Sequence, residues 1–326
     1  MKNILIIGGA GYVGCELSSE LSQKNYNVKV LDLFMYGENV FRDDKNIIKI
    51  KGDMRNIKDY AKIFKNVDCV IHLACISNDP SFELDPDLGK SINYDSFEPI
   101  IKLAKDSGVK MFIYASSSSV YGIKTNPNVT EEQSLEPLTD YSMFKVKCED
   151  ICLKYDDKNF RTVIIRPSTV CGVSKRQRLD LVVNILSNLA FNKGHIKVFG
   201  GKQLRPNIHI KDMVRSYIHI LESNYDFSEN KVFNVGYHNL PVYEIALKVK
   251  NVFGEKIKID VEETNDNRSY HVSSEKIKKI LNFENKFSID DAIIDLKNAF
   301  NKKLFVDPLN NKLYFNIKMM QSINLK

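Results

Sequence analysis

No apolar run in this chain of 326 residues approaches the eighteen or more needed to span a membrane. No charged, apolar leader precedes the first strand-like run, because Met1-Lys2-Asn3 lead straight into Ile4-Leu5-Ile6-Ile7. Cysteine is scarce: the six thiols lie at 15, 69, 75, 148, 152 and 171, and none forms a Cys-x-x-Cys pair. Cys148 and Cys152 are spaced to share a helix face, but no further ligand lies near them. A metal site is therefore not expected, and the six read as reduced thiols. The net charge of +6 comes from scattered lysines without a long Lys/Arg block. That argues against a nucleic-acid surface and suits a phosphate-bearing small molecule. There is no internal repeat and no low-complexity linker. These absences leave a cytoplasmic globular protein with ordinary apolar and charged content, long enough to bury about three-quarters of its unfolded surface.

What is present is a rhythm. Apolar, β-branched runs recur at 3–7, 28–33, 47–50, 67–74, 110–115 and 162–166, with helical spacing between most of them, as in Val13, Leu17 and Leu21. Alternating strand and helix predicts an α/β fold with a doubly wound parallel sheet, whose ligands sit at the carboxyl ends of the strands. After Arg166-Pro167 the rhythm breaks. A helix is expected over 179–192, a short strand at Ile196-Lys197-Val198-Phe199, another at Lys256–Val261, and mostly helix over 241–300. The expected division is a dinucleotide-binding domain at 1–167, with a returning strand near 232–236, and a smaller, discontinuous substrate lobe mainly at 168–326. The cleft between them is the expected substrate site.

Gly8-Gly9-Ala10-Gly11-Tyr12-Val13-Gly14 follows the first strand, opens a helix and is followed by Val28-Lys29-Val30-Leu31-Asp32. Gly8 permits the tight turn, Gly11 lets backbone approach a pyrophosphate, and Gly14 allows close helix–strand packing. The helix starting near Tyr12 and Val13 offers free N–H groups to phosphate. Asp32 at the end of the second strand suits ribose hydroxyls and repels a 2′-phosphate, which selects NAD over NADP. Asp53, before Met54, either reaches the adenine amino group or caps a helix. Leu73-Ala74-Cys75 end the fourth strand, where small residues let a cofactor lie close.

Tyr141 and Lys145 stand one helical turn apart and project from one face. A nearby ammonium and the positive nicotinamide ring would lower the phenol pKa, fitting Tyr141 to exchange a proton with an alcohol that gives up hydride. Tyr314 and Lys318 share the spacing but lie outside the βα region, and Tyr314 reads as packing. Ser116-Ser117-Ser118-Ser119 after the fifth strand supply a further hydroxyl at the cleft, or cap a helix.

The glycine turn, Asp32, Ser117-Ser118-Ser119-Val120-Tyr121-Gly122, Tyr141-Ser142-Met143-Phe144-Lys145 and Arg166-Pro167 resemble the extended short-chain dehydrogenase/reductases. Within them the chain is similar to the NAD-dependent nucleotide-sugar epimerase/dehydratase family from residue 3 to about 290. The resemblance implies that Ser117 hydrogen-bonds the sugar hydroxyl, Tyr141 is the acid/base, Lys145 tunes it and Pro167 lies at the cofactor. It also implies that Arg205 in Gly200–Asp212 clamps a nucleotide diphosphate with Arg268, and that Asn184 touches a phosphate. Either arginine could instead be a surface ion-pair residue. A homodimer through helices near 95–107 and 140–155 is implied as well.

Relatives that remove water carry Asp-Glu directly after the active hydroxyl residue. Ser118 and Ser119 stand there in this chain, which disfavours 4,6-dehydration. What remains is oxidation at C4 of a nucleotide-activated sugar, by a 4-epimerase or a 4-dehydrogenase. The alternatives are a 4,6-dehydratase or a non-catalytic NAD-binding protein of the same fold. The stretch Cys171–Leu181 resembles a subgroup that includes GDP-heptose 4-dehydrogenases of capsule synthesis, so a role in surface polysaccharide synthesis is expected. Arg176 and Arg178 within it either contact substrate phosphate or are solvated loop charges.

Overall fold

A computed structural model describes residues 1–41, 46–264, 269 and 271–323. Its strands are β1 (Asn3–Ile7), β2 (Asn27–Asp32), β3 (Ile47–Lys51), β4 (Cys69–His72), β5 (Met111–Ala115) and β6 (Arg161–Pro167). They are followed by β7 (Thr169–Cys171), β8 (His195–Phe199), β9 (Leu204–His209), β10 (Val232–Val235), β11 (His238–Pro241) and β12 (Lys258–Glu262). Seven of them form one sheet in the order β10-β6-β5-β4-β1-β2-β3, and all its pairings are parallel. The order runs outward in both directions from β1, so a topological switch point lies between β1 and β4, where ligands bind open α/β sheets.

The central strands β1, β4 and β5 are almost wholly apolar and buried because helices cover both faces. In β1, Ile4 and Ile6 enter one hydrophobic cluster while Leu5 and Ile7 enter the other. The same two-residue alternation continues through Ile71 and Val70, Ile113 and Phe112, and Ile165 and Ile164. The first cluster is closed by Cys15, Leu17 and Leu21 of the helix Tyr12–Gln23. It also takes Met213, Tyr217 and Leu221 of the helix Ile210–Glu222, with Phe233, Ile277 and Leu281. More of the chain beyond 167 than strand β10 therefore packs on the main sheet.

A third cluster is separate. It joins Leu179, Val183 and Leu186 to Ile245, Val249, Ile293 and Phe300, under the pair β12-β8 and beside the sheet β11-β9-β7. The helix expected over 179–192 occupies Val182–Lys193, because Arg178-Leu179-Asp180 are drawn into a loop by the contacts described below. No helix among the described residues is long and apolar enough to cross a membrane.

Candidate functional site

The carboxyl ends of β1, β2, β4, β5 and β6 open into one cavity of about 560 Å³. Gly8, Gly11, Tyr12, Val13 and Gly14 form its floor. Gly8 has φ +85°, and a Cβ there would run into the Ala74 backbone; a Cβ on Gly14 would overlap the Gly8 carbonyl. Both glycines are demanded by the protein's own packing. Gly11 differs, since a Cβ there would meet only the Gly8 oxygen, at 3.3 Å, leaving its bare backbone open to the cavity. The helix Tyr12–Gln23 starts at Gly11 with no side-chain cap, so its first N–H groups await an acceptor.

Asp32 lines the same cavity. One carboxylate oxygen accepts from the Ala10 N–H and the other from the Phe34 N–H, both at 2.9 Å. Burial raises its pKa while these amides restrain the rise. Asp53 and Met54 line the far end, with Leu73, Ala74 and Cys75 beneath. Asp53 caps a 3₁₀ segment by accepting from the Arg55 N–H and forms an ion pair with the Arg55 guanidinium at 2.6 Å. Partial burial pushes its pKa up, but Arg55 outweighs that and holds it below the usual carboxylate value.

Tyr141 and Lys145 enter from the helix Asp140–Tyr155, whose first turn is fixed by a reciprocal capping box between Thr139 and Ser142. Thr139 also donates to Asp79 at 2.5 Å. Ser117, Tyr141, Lys145 and Pro167 share the cavity. The Ser117 and Ser119 hydroxyls are 2.8 Å apart, and Lys145 Nζ donates to the Ala115 carbonyl at 2.7 Å. The ammonium lies 5.7 Å from the Tyr141 ring centre. Burial drives the Tyr141 phenol pKa well up, with Cys75 and Asp79 adding to the rise and Arg178 and Ser117 opposing it. In the protein alone, therefore, burial overrides the lowering expected from sequence.

Behind this wall, Arg166 and Glu149 form a buried ion pair at 2.6 Å. Ser116 donates to Glu149, and Arg166 also donates to the Tyr121 hydroxyl at 2.7 Å, which in turn donates to Asn234. The network ties the serine run, the Tyr141 helix and β6 together.

Arg205 on β9 lines the cavity as well. Asn184 does not, and its expected phosphate contact is corrected. Its amide is fully buried, accepting from the Gly172 N–H at 3.0 Å and donating to the Arg178 carbonyl at 2.7 Å and the Tyr12 hydroxyl at 3.0 Å. Every polar atom of its side chain is already used to shape the loop 171–181. Arg268 lies outside the described residues.

Arg176 and Arg178 are not solvated loop charges: only 4% and 7% of their surfaces are exposed, and both line the cavity. Tyr36 and Asn316 stand beside them, and sequence reasoning named neither. Asn316 lies 280 residues from Tyr36, whose hydroxyl donates to it at 3.0 Å. No spacing or motif could have linked them.

The NAD-dependent epimerase/dehydratase family model matches residues 4–236. The chain belongs to that family. It is an NAD-dependent enzyme of the nucleotide-sugar epimerase/dehydratase type, and the cavity's glycine turn and Asp32 fit that cofactor. Among curated relatives, it is 27% identical over 272 residues to a UDP-glucose 4-epimerase of Lactobacillus helveticus, covering 76% of this chain and 82% of that one. Among solved structures, it matches a UDP-N-acetylglucosamine 4-epimerase from Methanobrevibacter ruminantium M1, solved in complex with UDP-N-acetylmuramic acid. That match has a TM-score of 0.84 and 22% identity, covering 93% of this chain and 99% of the other. A UDP-glucuronic acid 4-epimerase from Bacillus cereus, in complex with UDP-glucuronic acid and NAD, matches with a TM-score of 0.83 at 23% identity, covering 93% and 100%. At these identities the structural matches speak for the fold.

Proposed function

We propose that this enzyme oxidises C4 of a nucleotide-activated sugar, as a 4-epimerase or a 4-dehydrogenase. The observation that carries the reading is the convergence of Ser117, Tyr141 and Lys145 on the cavity that also holds the glycine turn and Asp32. Gly8, Gly11, Tyr12, Val13, Gly14, Asp32, Asp53, Met54, Leu73, Ala74, Cys75 and Pro167 would hold NAD, which supplies a hydride acceptor when bound. Tyr141 takes the proton of the sugar hydroxyl and Ser117 orients that hydroxyl. Lys145, seated on the Ala115 carbonyl, keeps a positive charge beside the phenol and favours its ionised form. Ser118 and Ser119 present no carboxylate behind Ser117, which supports C4 oxidation over dehydration. Arg205 binds the nucleotide diphosphate of the sugar.

The relatives that act on UDP-sugars support a substrate of that class. The likeness of Cys171–Leu181 to capsule-synthesis dehydrogenases supports a role in surface polysaccharide synthesis. We place the NAD site mainly on residues 1–167 with β10 and the sugar site mainly on 168–326. Pairing of two chains through the helices Phe97–Asp106 and Asp140–Tyr155 completes the proposal, as does a cytoplasmic location, supported by six free thiols.

The test is a panel of GDP-, UDP- and dTDP-sugars incubated with enzyme and NAD. NADH absorbance and product stereochemistry separate net oxidation from epimerisation. A C4-inverted or C4-keto product supports the reading; a 4-keto-6-deoxy product, or no turnover on any sugar, sinks it.

A further inference from the structure

In the lining of the same cavity four distant parts of the chain meet. Arg178 forms a two-point ion pair with Asp180, at 2.8 and 3.1 Å, and donates to the Ser77 hydroxyl at 3.2 Å. Arg176 stacks on Tyr36, its guanidinium carbon 3.5 Å from the ring centre, and donates to the side-chain Oδ1 of Asn316 at 2.5 Å. Asn316 also accepts from Tyr36, donates its amide to Ser77 at 2.9 Å and donates its backbone N–H to Asp180 at 2.9 Å. One side chain from the C-terminal segment thus joins the loops after β2, β4 and β7.

Asp180 pairs with the Arg178 guanidinium, while that of Arg176 is stacked on the Tyr36 ring, with Asp32 and Asp180 within electrostatic reach of it. Arg176 Nε is buried with no hydrogen-bond partner among the described residues, a costly state for a charged fork. Burial lowers the Arg176 pKa, Tyr36 opposes it, the neighbouring Arg178 charge adds to the lowering and Asp180 opposes it, and the net is a lowered value. A buried donor of this kind, in the wall of a cavity, calls for an anion.

The loop that carries both arginines is pinned to the helix that starts at the glycine turn. Ser174 donates to the Tyr12 carbonyl at 2.8 Å, the Lys175 N–H to Glu16 at 2.8 Å, and Lys175 Nζ to Ser19 at 2.6 Å. Tyr12 answers by donating its hydroxyl to the Gly172 carbonyl at 2.7 Å. The two arginines and the uncapped start of that helix thus line one cavity, and an anion bound there would find donors from both. A diphosphate has the charge and the oxygens to meet both walls, and guanidinium forks match its geometry.

We propose that Arg176 and Arg178 clamp the diphosphate of the bound dinucleotide against the glycine turn, and that Asn316 latches the clamp. This rests on the NAD reading of the cavity and adds the residues that close it. The clamp is assigned to the dinucleotide, not the sugar nucleotide, because its loop is fastened to the helix of the glycine turn. Cofactor exchange then requires the C-terminal segment to let go.

The test uses the full chain freed of nucleotide, titrated calorimetrically with ADP-ribose, adenosine and UDP. Arg176→Gln and Arg178→Gln are each expected to weaken ADP-ribose by about tenfold or more, with adenosine and UDP changed by less than about twofold. Unchanged ADP-ribose affinity, or a loss confined to UDP, overturns the clamp. Should Arg178→Gln fail to fold with Asp180 left unpaired, the double variant Arg178→Gln/Asp180→Asn carries the same expectation. Asn316→Ala keeps both arginines and should speed NAD release by about fivefold to tenfold in stopped flow; an unchanged rate overturns the latch. Failure of the unaltered protein to bind ADP-ribose would instead overturn the cofactor reading beneath the proposal.

Discussion

The two walls of the cavity are built in different ways. On the sheet wall every functional residue lies close in sequence to a strand end or helix start: Gly8 to Gly14 after β1, Asp32 on β2, Ser117 after β5, Tyr141 and Lys145 on one turn of helix. The parallel sheet and its two apolar faces place them, so backbone geometry does the positioning. On the opposite wall Tyr36, Ser77, Arg176, Arg178 and Asn316 come from separate segments and are held by side-chain hydrogen bonds. The sheet wall is therefore expected to fail through chemistry or global stability, and the opposite wall through loss of binding when single side chains are cut.

The sharpest probe of the sheet wall is Tyr141→Phe. It should lower kcat by about a thousandfold, because it removes the proton carrier. NAD affinity and thermal midpoint should stay near those of the unaltered protein. Rapid turnover in this variant, followed by NADH absorbance, would remove Tyr141 from the chemistry.

Next in size is Arg166→Met, which strands the buried Glu149 carboxylate. The expected loss is about 3–5 kcal/mol of folding stability by denaturant titration, and replacing Glu149 with Leu as well should recover much of it. A loss below about 1 kcal/mol would show that the sheet wall does not depend on its polar backing.

A pH-dependent loss of about 2 kcal/mol is expected from His72. This imidazole lies at the end of β4 among Phe97, Phe112 and Tyr114, and neither ring nitrogen has a partner among the described residues. Burial, helped by the Lys145 charge, pulls its pKa down to about 3. The unfolded chain binds the proton near pH 6.5 and the folded chain does not, so stability is complete above about pH 6.5 and declines as pH falls toward 3. The slope is about 1.4 kcal/mol per pH unit, which gives about 2 kcal/mol between pH 6.5 and 5. His72→Leu should flatten that part of the stability profile; an unchanged slope would assign it to other groups.

The smallest effect belongs to Thr139→Ala at the seam between the walls. Losing the cap of the Tyr141 helix and the bond to Asp79 should cost about 1 kcal/mol and reduce kcat by less than about tenfold. A kcat loss as large as that of Tyr141→Phe would mean that the Asp79 contact, and not the helix, sets the position of the phenol.

Much of the sheet wall can be read from the chain because its signals are short. The glycine spacing is enforced by clashes with Ala74 and the Gly8 carbonyl, and Tyr141 and Lys145 meet because a helix brings i and i+4 together. The reading of Asn184 failed for a tertiary reason, since the buried loop 171–181 consumes its amide. The phenol pKa followed the same rule: spacing shows a neighbouring lysine but not the burial that outweighs it. Arg176 and Arg178 stand in an open-looking loop in sequence, and only its fastening to Tyr12 and Glu16 buries them.

By itself the sequence determined the parallel sheet, the glycine turn and the tyrosine–lysine pair, because each follows from sterics or periodicity within a few residues. Only the tertiary structure decided that the C-terminal segment reaches across the cavity to join Tyr36, Ser77 and Arg176 through Asn316. Contacts between residues far apart in sequence leave no local periodicity to read; they form where the packed elements bring donors and acceptors together.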